Sequence, residues 1–556
     1  MAGKTAGEVL MDILEDWGVE VIFGMPGDSI NALMEPLRKK KSIRFIQVRH
    51  EETGALAAAA YAKLTGKLGV CMAIAGPGAI HLLNGLYDAK MDRAPVLAIT
   101  GQVETDLIGT DYFQEVNLDR LFDDVAVYNQ RAMSAEQLPA IANQAIRMAL
   151  THRGVAHLSF PDDVPRFKVE REARVTSAIH VRPVILPRAE DLEKAVDLLS
   201  EPRKTVILAG KGTHGAREEL LGLARKLKAP VVVTLPGKGA IPDTHEYCLG
   251  GLGLLGTKPA YEAMREAETL VMVGTSFPFT GFLPEDVKTV QIDTDPGQIG
   301  KRYPVDVGLA GDAAIAMKHL TERLAVREDD AFLKKYQVKM KDWREKMKRQ
   351  GMSDRLPLRP QTVPVALQEV LEEDAIISCD VGNVTVWMAR NFMLSDQKFI
   401  TSSWLATLGC GLPGAIAGKL SFPEKQVVAV CGDGGFGMLM SDFVTAVKYG
   451  LPIVVIVLNN QKIAMIKFEQ EVMGNAEFGT DLKNPDFARF AEDCGGIGFR
   501  VETREELRQA LQRAFTIKKP VIIDVLVDPD EPPMPAVITF SQAKNYAIHL
   551  LKEWFD

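Results

Sequence analysis

The sequence predicts an α/β protein of three domains, each a doubly wound parallel sheet with helices on both faces. Apolar stretches of strand length alternate with amphipathic stretches of helix length along the chain, a pattern typical of parallel sheets. The 556 residues also exceed what one hydrophobic core usually holds. Apolar residues make up 47% and charged residues 25% of the chain, as expected of a globular protein.

Charged, proline-bearing stretches separate the three predicted domains. We expect an N-terminal domain over 1–170, a central domain over 188–330, a C-terminal domain over 355–530 and a helical tail over 541–556. The first and third domains are similar in size and pattern, although no close sequence repeat relates them. The predicted strands are 21–24, 45–48, 70–75 and 96–100 in the first domain, 205–208, 231–234, 269–273 and 289–292 in the second, and 375–379, 427–431 and 451–458 in the third.

The bulk properties argue against several classes of protein. A net charge of −8 gives no electrostatic footprint for a nucleic-acid partner. The six cysteines are scattered without a Cys-x-x-Cys pair, which favours buried free thiols over disulfides or zinc. Acidic residues follow Lys4 where a signal peptide would be apolar, and no apolar run reaches the ~20 residues of a membrane helix. We therefore expect a cytoplasmic protein.

Two neighbouring strands of the predicted C-terminal domain end in oxygen-bearing side chains. One strand runs into Asp433, within Gly-Asp-Gly, and the next ends at Asn460. The two residues lie 27 positions apart, which is one strand–helix–strand unit. Both side chains would then lie at the carboxyl edge of a parallel sheet, where such sheets bind ligands. A carboxylate, an amide oxygen and glycine-rich backbone suit a Mg²⁺ ion that a ligand's phosphates also hold.

In the N-terminal domain, Glu51 lies where a strand meets an Ala-rich helix over 53–64. Taken alone, this carboxylate is most simply a charge favoured by the helix dipole. Neighbouring motifs favour a ligand-facing role instead. They are the strand-to-loop turns Phe23-Gly-Met-Pro-Gly-Asp28 and Ala75-Gly-Pro-Gly78, the side chain of His81, and the segment Phe113-Gln114-Glu115.

In combination, these motifs resemble those of thiamine diphosphate enzymes of the pyruvate oxidase and acetohydroxyacid synthase superfamily. The likeness covers nearly the whole chain and is strongest to bacterial pyruvate oxidases. Besides the metal motif, it rests on Val48-Arg-His-Glu-Glu52, Lys63-Leu-Thr-Gly-Lys67, Ala75-Gly-Pro-Gly78, His81-Leu-Leu-Asn-Gly-Leu-Tyr-Asp-Ala89 and Tyr112-Phe-Gln-Glu115.

The resemblance implies a site for thiamine diphosphate and Mg²⁺. Glu51 falls at the position of the glutamate that bonds to N1′ of the aminopyrimidine, which favours the imino form whose 4′ nitrogen takes the C2 proton. Leu408 falls at the position of the apolar wedge that bends the cofactor. The implied metal ligands are Asp433, Asn460 and the carbonyl of Lys462. Further implied contacts to cofactor or substrate are Gly27, His81, Phe113, Gln114, Val381, Gly382, Gly434 and Gly435.

The same family builds each site from the N-terminal domain of one subunit and the C-terminal domain of another. The resemblance therefore implies a homo-oligomer, either a dimer or a dimer of dimers.

The central domain resembles the FAD-binding domain of pyruvate oxidases. A strand followed by Gly-x-Gly is a weak signal by itself, but glycine loops at other strand ends and two acidic residues extend the likeness. The alternative is a nucleotide-free spacer, as in some decarboxylases of the superfamily. The implied FAD contacts are Gly210, Gly212, Thr234, Gly274, Thr275, Phe277, Asp293 and Asp312.

The segment after the metal motif separates oxidases from synthases. Glu469 stands where the synthases carry a tryptophan that selects their second substrate and where pyruvate oxidases carry a glutamate. A plain surface charge is the alternative for this residue. Met465 and Ile466 fall at active-site apolar positions, with Met465 in place of the expected phenylalanine, a departure that bears on electron transfer and on the phosphate requirement.

These features predict oxidative decarboxylation of pyruvate, or a similar 2-oxo acid, to acetyl phosphate or acetate and CO₂. Electrons would pass through FAD to oxygen or a quinone. Two alternatives stay open: an acetolactate synthase-type carboligase without net redox, and a catalytically silent flavin-binding or assembly protein. The tail over 541–556 places Tyr546, Leu550, Leu551, Trp554 and Phe555 on one helical face, which predicts docking on the protein itself or at most peripheral membrane contact.

Overall fold

The computed structural model describes residues 3–170, 179–181 and 183–533. These residues form three sheets of six strands each, and the named strands pair only in parallel. The predicted α/β fold with three parallel-sheet domains is confirmed. The predicted tail helix over 541–556 lies outside the described residues.

Each sheet takes its strands from one continuous part of the chain. The N-terminal sheet contains β1 (Val21–Gly24), β2 (Arg44–Gln47), β3 (Gly69–Ala73), β4 (Val96–Gln102), β5 (Ala126–Arg131) and β6 (Val155–Pro161). The central sheet contains β7 (Thr205–Ala209), β8 (Val231–Val233), β9 (Cys248–Gly251), β10 (Thr269–Val273), β11 (Lys288–Asp293) and β12 (Val307–Ala310). The C-terminal sheet contains β13 (Ile376–Cys379), β14 (Lys398–Ile400), β15 (Val427–Gly432), β16 (Val454–Asn459), β17 (Ile497–Val501) and β18 (Val521–Leu526).

Helices connect the strands. In the part of the chain that the structure describes, no helix has both the length and the apolar character needed to cross a membrane. The helices are α1 (Ala6–Asp16), α2 (Asn31–Lys39), α3 (Glu51–Thr65), α4 (Pro77–Met91), α5 (Leu118–Leu121), α6 (Leu138–His152), α7 (Ala189–Ser200), α8 (Arg217–Leu227), α9 (Lys258–Glu266), α10 (Ala313–Arg323), α11 (Ala331–Gly351), α12 (Thr362–Gln368), α13 (Asn383–Asn391), α14 (Gly411–Ser421), α15 (Asp433–Leu439), α16 (Phe443–Lys448), α17 (Ala464–Val472), α18 (Phe487–Asp493) and α19 (Arg504–Ala514).

Local sequence explains where these elements begin and end. Strands β4 and β10 are buried along their whole length because helices cover both faces, so they read as nearly continuous apolar runs. Helix α1 begins at a capping box formed by Thr5 and Glu8. Helix α3 ends at Gly66, whose left-handed conformation stops the helix.

The N-terminal and C-terminal sheets share one topology. In each, the strands lie in the order second, first, third, fourth, sixth, fifth: β2-β1-β3-β4-β6-β5 and β14-β13-β15-β16-β18-β17. The two domains are therefore a structural repeat that their sequences do not display.

The central sheet has a different topology. Its order, β12-β11-β10-β7-β8-β9, is the 3-2-1-4-5-6 order of dinucleotide-binding folds read from the opposite edge. The strand order reverses between β7 and β10, so the loops after these two strands border a crevice at the carboxyl edge. Dinucleotides bind at this switch point in folds of this order.

The N-terminal and C-terminal domains share one core. Helix α3 packs against α14, and the buried side chains around this contact form one hydrophobic cluster with members from both domains. Helix α3 contributes mainly alanines to this cluster. The two terminal domains are therefore one packed unit within the chain.

Two buried aspartates join these domains in a reciprocal way. Asp442 follows α15 and accepts the backbone N–H of Arg49 at 2.7 Å and of His50 at 3.2 Å, in the loop between β2 and α3. Asp92 follows α4 and accepts the backbone N–H of Ser403 at 3.2 Å, in the loop between β14 and α14. Each domain thus uses a carboxylate beyond its third strand to hold the loop after the second strand of the other domain.

Several strands went unrecognised in the sequence, and most of them are at sheet edges or are partly exposed. β14 has only three residues, and β5 and β17 are largely only half-buried, so none displays the apolar run of a central strand. β6, β9, β12 and β18 were also missed, although β6 and β18 are well buried. The free-thiol prediction is confirmed, since all six cysteines are unpaired and five are buried.

Candidate active site

Asp433 and Asn460 lie together at the carboxyl edge of the C-terminal sheet. β15 pairs with β16, and Asp433 directly follows β15 as the first residue of α15. Its Oδ2 accepts the backbone N–H of Gln461 at 2.6 Å, which ties it to the loop that carries Asn460. Asp433 is only 2% exposed, and burial raises the pKa of its carboxyl to about 6. A cation at this position would offset the cost of burying the charge.

Asn484 is a part of this site that sequence reasoning missed. Its Nδ2 donates to Asp433 Oδ2 at 2.7 Å and to Asn459 Oδ1 at 3.1 Å. It therefore fixes the orientation of the buried carboxylate. Asn484 lies in an irregular loop, where no periodicity could have marked it.

The side chain of Lys462 bonds to Glu477 at 2.7 Å and to Asp481 at 2.9 Å, so its ammonium points to these acids.

The start of α15 borders open space. A Cβ built on Gly432 or Gly437 would meet no heavy atom within 4 Å, and one built on Gly434 would meet only Leu482, at 3.4 Å. The N–H of Gly434 donates to Asp433 Oδ1 at 3.0 Å. Backbone of this kind, free of side chains beside a helix start, can approach phosphate groups closely.

Gly435, on the same helix, faces protein instead of open space. A Cβ at this position would lie 2.7 Å from Oδ2 of the buried Asp380. We expect Gly435→Ala to lower the free energy of unfolding by about 1–3 kcal/mol, as overpacking does. The matched control is Gly437→Ala, where the added methyl meets nothing and alanine favours the helix by up to about 1 kcal/mol. Chemical denaturation of both variants without cofactor would measure this. Equal stabilities would contradict the packing seen at Gly435.

Asp380 is a second residue that sequence reasoning missed. It is fully buried after β13, and its Oδ1 accepts the N–H of Val381 at 2.8 Å and of Gly409 at 2.9 Å. Its Oδ2 has no hydrogen-bond partner, and burial raises the pKa of this carboxyl to about 6. One carboxylate therefore holds the loop of Val381 and Gly382 against the loop that carries Leu408. Gly382 begins α13 with φ +112°, a conformation that requires glycine.

Glu51 occupies the predicted strand-to-helix junction of the N-terminal domain. It is the first residue of α3, and its side chain is 13% exposed. Its Oε2 lies 2.9 Å from Nδ1 of His81, on α4. The imidazole of His50 stacks on that of His81, with ring centroids 4.5 Å apart. The carboxylate is thus oriented by a histidine and remains accessible from one side.

Glycine-bearing loops surround Glu51. A Cβ on Gly78 would lie 3.3 Å from Glu51 Oε1, and one on Gly76 would lie 2.8 Å from the carbonyl of Gln114. The loop of Gln114 therefore packs directly against the start of α4. Gly27 packs against Ile74 in the neighbouring loop, where a Cβ would collide with it. Phe113, next to Gln114, is 76% exposed.

The loops after β7 and β10 meet in the central domain. A Cβ on Gly212 would lie 2.6 Å from the Cα of Gly274, and one on Gly210 would collide with Thr275. Gly274 has φ +60°, which disfavours residues with a side chain. The two walls of the switch-point crevice therefore touch through bare backbone. This arrangement leaves main-chain groups close to any ligand that lies across it.

The remaining predicted residues of the central domain line the same edge. Thr234 is buried and caps the turn after β8 by accepting the N–H of Gly237 at 3.2 Å. Phe277 is buried and its ring contacts Phe279 edge to face. Asp293 ends β11 and accepts the N–H of Asp295 at 3.0 Å.

Asp312 lies at the start of α10. Its Oδ1 accepts the N–H of Ile315 at 3.2 Å, as an N-cap residue does. Burial raises the pKa of the Asp293 carboxyl.

Met465, Ile466 and Glu469 all lie on α17, beyond the metal-binding loop. Met465 is half-buried against the hydrophobic core of the C-terminal domain, whereas Ile466 is 44% exposed. Glu469 is exposed. The helix therefore presents one apolar and one acidic side chain outward, next to the loop of Asn460.

Comparison with known proteins agrees with this geometry. Residues 4–121 match the N-terminal TPP binding domain of thiamine pyrophosphate enzymes, residues 192–320 match their central domain, and residues 380–525 match their C-terminal TPP binding domain. The chain belongs to the thiamine pyrophosphate enzyme family.

Relatives within this family carry different names. The chain is 52% identical to YdaP of Bacillus subtilis, named only as containing thiamine pyrophosphate, over 100% of this chain and 97% of YdaP. It is 38% identical to a pyruvate oxidase of Lactiplantibacillus plantarum, over 96% of this chain and 90% of that protein. A protein of Methanococcus aeolicus named as an acetolactate synthase large subunit is 32% identical over 94% and 92% of the two chains.

The residues of this thiamine pyrophosphate enzyme fit the cofactor for which the family is named. The buried Asp433 carboxylate and the Asn460 amide are hard oxygen donors, which Mg²⁺ prefers. Open glycine backbone lies beside them, as a diphosphate requires. In the N-terminal domain, Glu51 provides an accessible carboxylate for the pyrimidine end.

Proposed function

We propose that this thiamine pyrophosphate enzyme oxidatively decarboxylates pyruvate, or a similar 2-oxo acid, to acetyl phosphate or acetate and CO₂. Electrons would pass through FAD to oxygen or a quinone. The observation that carries the proposal is the switch-point crevice of the central sheet, with its 3-2-1-4-5-6 order and its bare glycine walls. The relative named pyruvate oxidase, 38% identical over most of both chains, supports the same reaction.

Different residues would hold different parts of the thiamine cofactor. When bound, thiamine diphosphate supplies a nucleophilic carbon and an electron sink for decarboxylation. Asp433, Asn460 and the carbonyl of Lys462 would hold the Mg²⁺ that its phosphates share. Glu51 would hold a proton at N1′ of the aminopyrimidine, with His81 fixing the carboxylate at 2.9 Å. Leu408 would wedge between the two rings, on a loop that Asp380 holds in place.

The flavin would lie in the central crevice. When bound, FAD supplies a two-electron acceptor. Gly210, Gly212 and Gly274 would let main-chain groups reach its pyrophosphate, together with Thr234, Thr275 and Phe277 along the same edge. Asp293 and Asp312, each of which accepts a backbone N–H through Oδ1, are the two candidates for its ribose or adenosine hydroxyls.

A carboligase of the acetolactate synthase type is the second candidate. Relatives named acetolactate synthase, about 32% identical, favour it. Glu469 argues against it, because an exposed carboxylate on α17 stands in place of the tryptophan with which the synthases select their second substrate. A silent flavin-binding protein is disfavoured by the complete set of Glu51, Asp433 and Asn460.

We also infer a homo-oligomer in which a second copy covers the half-sites. Large apolar side chains are exposed beside both of them. Phe113 is 76% exposed near Glu51, and Phe478 is 85% exposed in the loop that follows α17. A second copy placed over these half-sites would bury both rings. Cytoplasmic location, at most with peripheral membrane contact, remains our expectation.

Anaerobic mixing of the FAD-loaded protein with thiamine diphosphate, Mg²⁺ and pyruvate tests the proposal. We expect the flavin absorbance at about 450 nm to bleach within the turnover time, because the substrate's electrons reach the flavin. Persistent yellow colour with release of CO₂ and formation of acetolactate would instead establish the carboligase. A protein that takes up no FAD would refute the flavin-dependent reaction.

A further inference from the structure

Trp404 lies where the C-terminal domain meets the central domain. It belongs to the loop between β14 and α14, four residues before Leu408, and it is half-buried. The guanidinium of Arg302, from the loop between β11 and β12, lies over its ring at 5.2 Å from the centroid. This cation–π contact holds the indole against the central domain.

Arg302 connects the indole to one wall of the switch-point crevice. Its Nη1 donates to the carbonyl of Ser276 at 2.7 Å and to Ser276 Oγ at 2.9 Å. Ser276 follows Gly274 in the loop after β10. The position of Trp404 is therefore set, through one guanidinium, by the β10 side of the crevice.

A second set of contacts connects the loop of Trp404 to the other wall of the crevice, the loop after β7. Ser403, next to Trp404, bonds to the Asp92 carboxylate through both its N–H and its hydroxyl. Lys211, between the two glycines that follow β7, donates to the backbone carbonyl of the same Asp92. The loop of Trp404 is thus linked to both loops that form the crevice, by Arg302 through the indole and by Asp92 and Lys211 through Ser403.

We propose that Trp404 forms the stacking surface for the isoalloxazine ring of FAD, an inference that rests on the proposed function. The loop of Trp404 also carries Leu408, so it reaches from the thiamine half-site to the central crevice. The flavin end of the dinucleotide must face the thiamine site to receive electrons, and Trp404 is an aromatic side chain held at that junction by Arg302. Stacking on a fixed indole would place the ring at the domain junction and exclude water from one face.

Flavin emission and FAD affinity test this assignment without turnover. Stacked indole quenches flavin fluorescence on contact, so the emission of FAD bound to Trp404→Leu should exceed that of the wild type. The same variant should bind FAD about fivefold more weakly, because it loses the usual contribution of an aromatic stack to affinity. Trp404→Phe keeps an aromatic ring and should recover most of the affinity but not the quenching. Trp343→Phe is the matched control, since Trp343 lies on α11 beside Lys346 and should leave both readouts unchanged.

A further variant separates stacking from packing between domains. Arg302→Met keeps Trp404 but removes the guanidinium that positions its indole, so flavin emission should rise partially. Unchanged emission and FAD affinity in Trp404→Leu, with FAD bound by the wild type, would overturn the role of Trp404 and leave the proposed function intact. A wild-type titration that shows no FAD binding would overturn both.

Discussion

Replacing Glu51 with glutamine is expected to slow the reduction of bound FAD by pyruvate about 100-fold or more, because a positioned acid–base group contributes this much. Glutamine keeps an oxygen 2.9 Å from His81, so the fold and the FAD content should persist. It cannot stabilise a proton at N1′ of the aminopyrimidine. Stopped-flow absorbance under anaerobic conditions would measure the rate.

Glu52 provides the matched control, one residue further along α3. Its Oε1 accepts the Nδ2 of Asn84 at 2.6 Å, a bond that Glu52→Gln can retain. We expect that variant to reduce FAD within a fewfold of the wild-type rate. If Glu51→Gln also reacted at the wild-type rate, Glu51 would lose its assigned role, whatever the outcome at Glu52.

Replacing Asp433 with asparagine is expected to abolish the binding of Mg²⁺ and thiamine diphosphate at cofactor concentrations that saturate the wild type. The loss should exceed about 100-fold in metal affinity, since even residues that only support a metal ligand contribute about 10- to 100-fold. Asparagine keeps one oxygen to accept from Gln461 and Asn484, so the metal-free variant should fold. Titration with thiamine diphosphate and Mg²⁺, followed by calorimetry, would measure the affinity.

Two further measurements make the Asp433 test specific. Asp493→Asn removes an exposed carboxylate from the same domain and should bind the cofactor like the wild type. FAD content should be unaffected in both variants, because the flavin would bind the central domain. Retention of wild-type Mg²⁺ affinity in Asp433→Asn would remove Asp433 from the metal site.

Part of the site could be predicted because its residues follow buried strands directly. Asp433 and Asn460 each come immediately after or at the end of an apolar run, and parallel strands bring their carboxyl ends to one edge. Glu51 instead begins α3, after the short loop that follows β2. The spacing along the chain then implies proximity in space, and the residue types imply the chemistry.

The supporting residues could not be predicted in this way. Asp380 matters because Gly409, in a loop distant in sequence, donates to its Oδ1. Asn484 matters because it reaches Asp433 from a distant loop. Asp442 and Asp92 act between domains. A surface aspartate and a buried one look the same in the sequence, since only the fold decides which backbone N–H groups point at them.

The sequence by itself determined the fold class, the three-domain plan and the placement of Glu51, Asp433 and Asn460 at the ends of strands. Those features follow from hydrophobic periodicity and strand length, which are local properties of the chain. Only the tertiary structure decided the strand orders, the shared core of the terminal domains and the contact of Trp404 with Arg302 of the central domain. Strand order and contacts between domains depend on how elements pack at long sequence separation, and a local pattern carries no record of that packing.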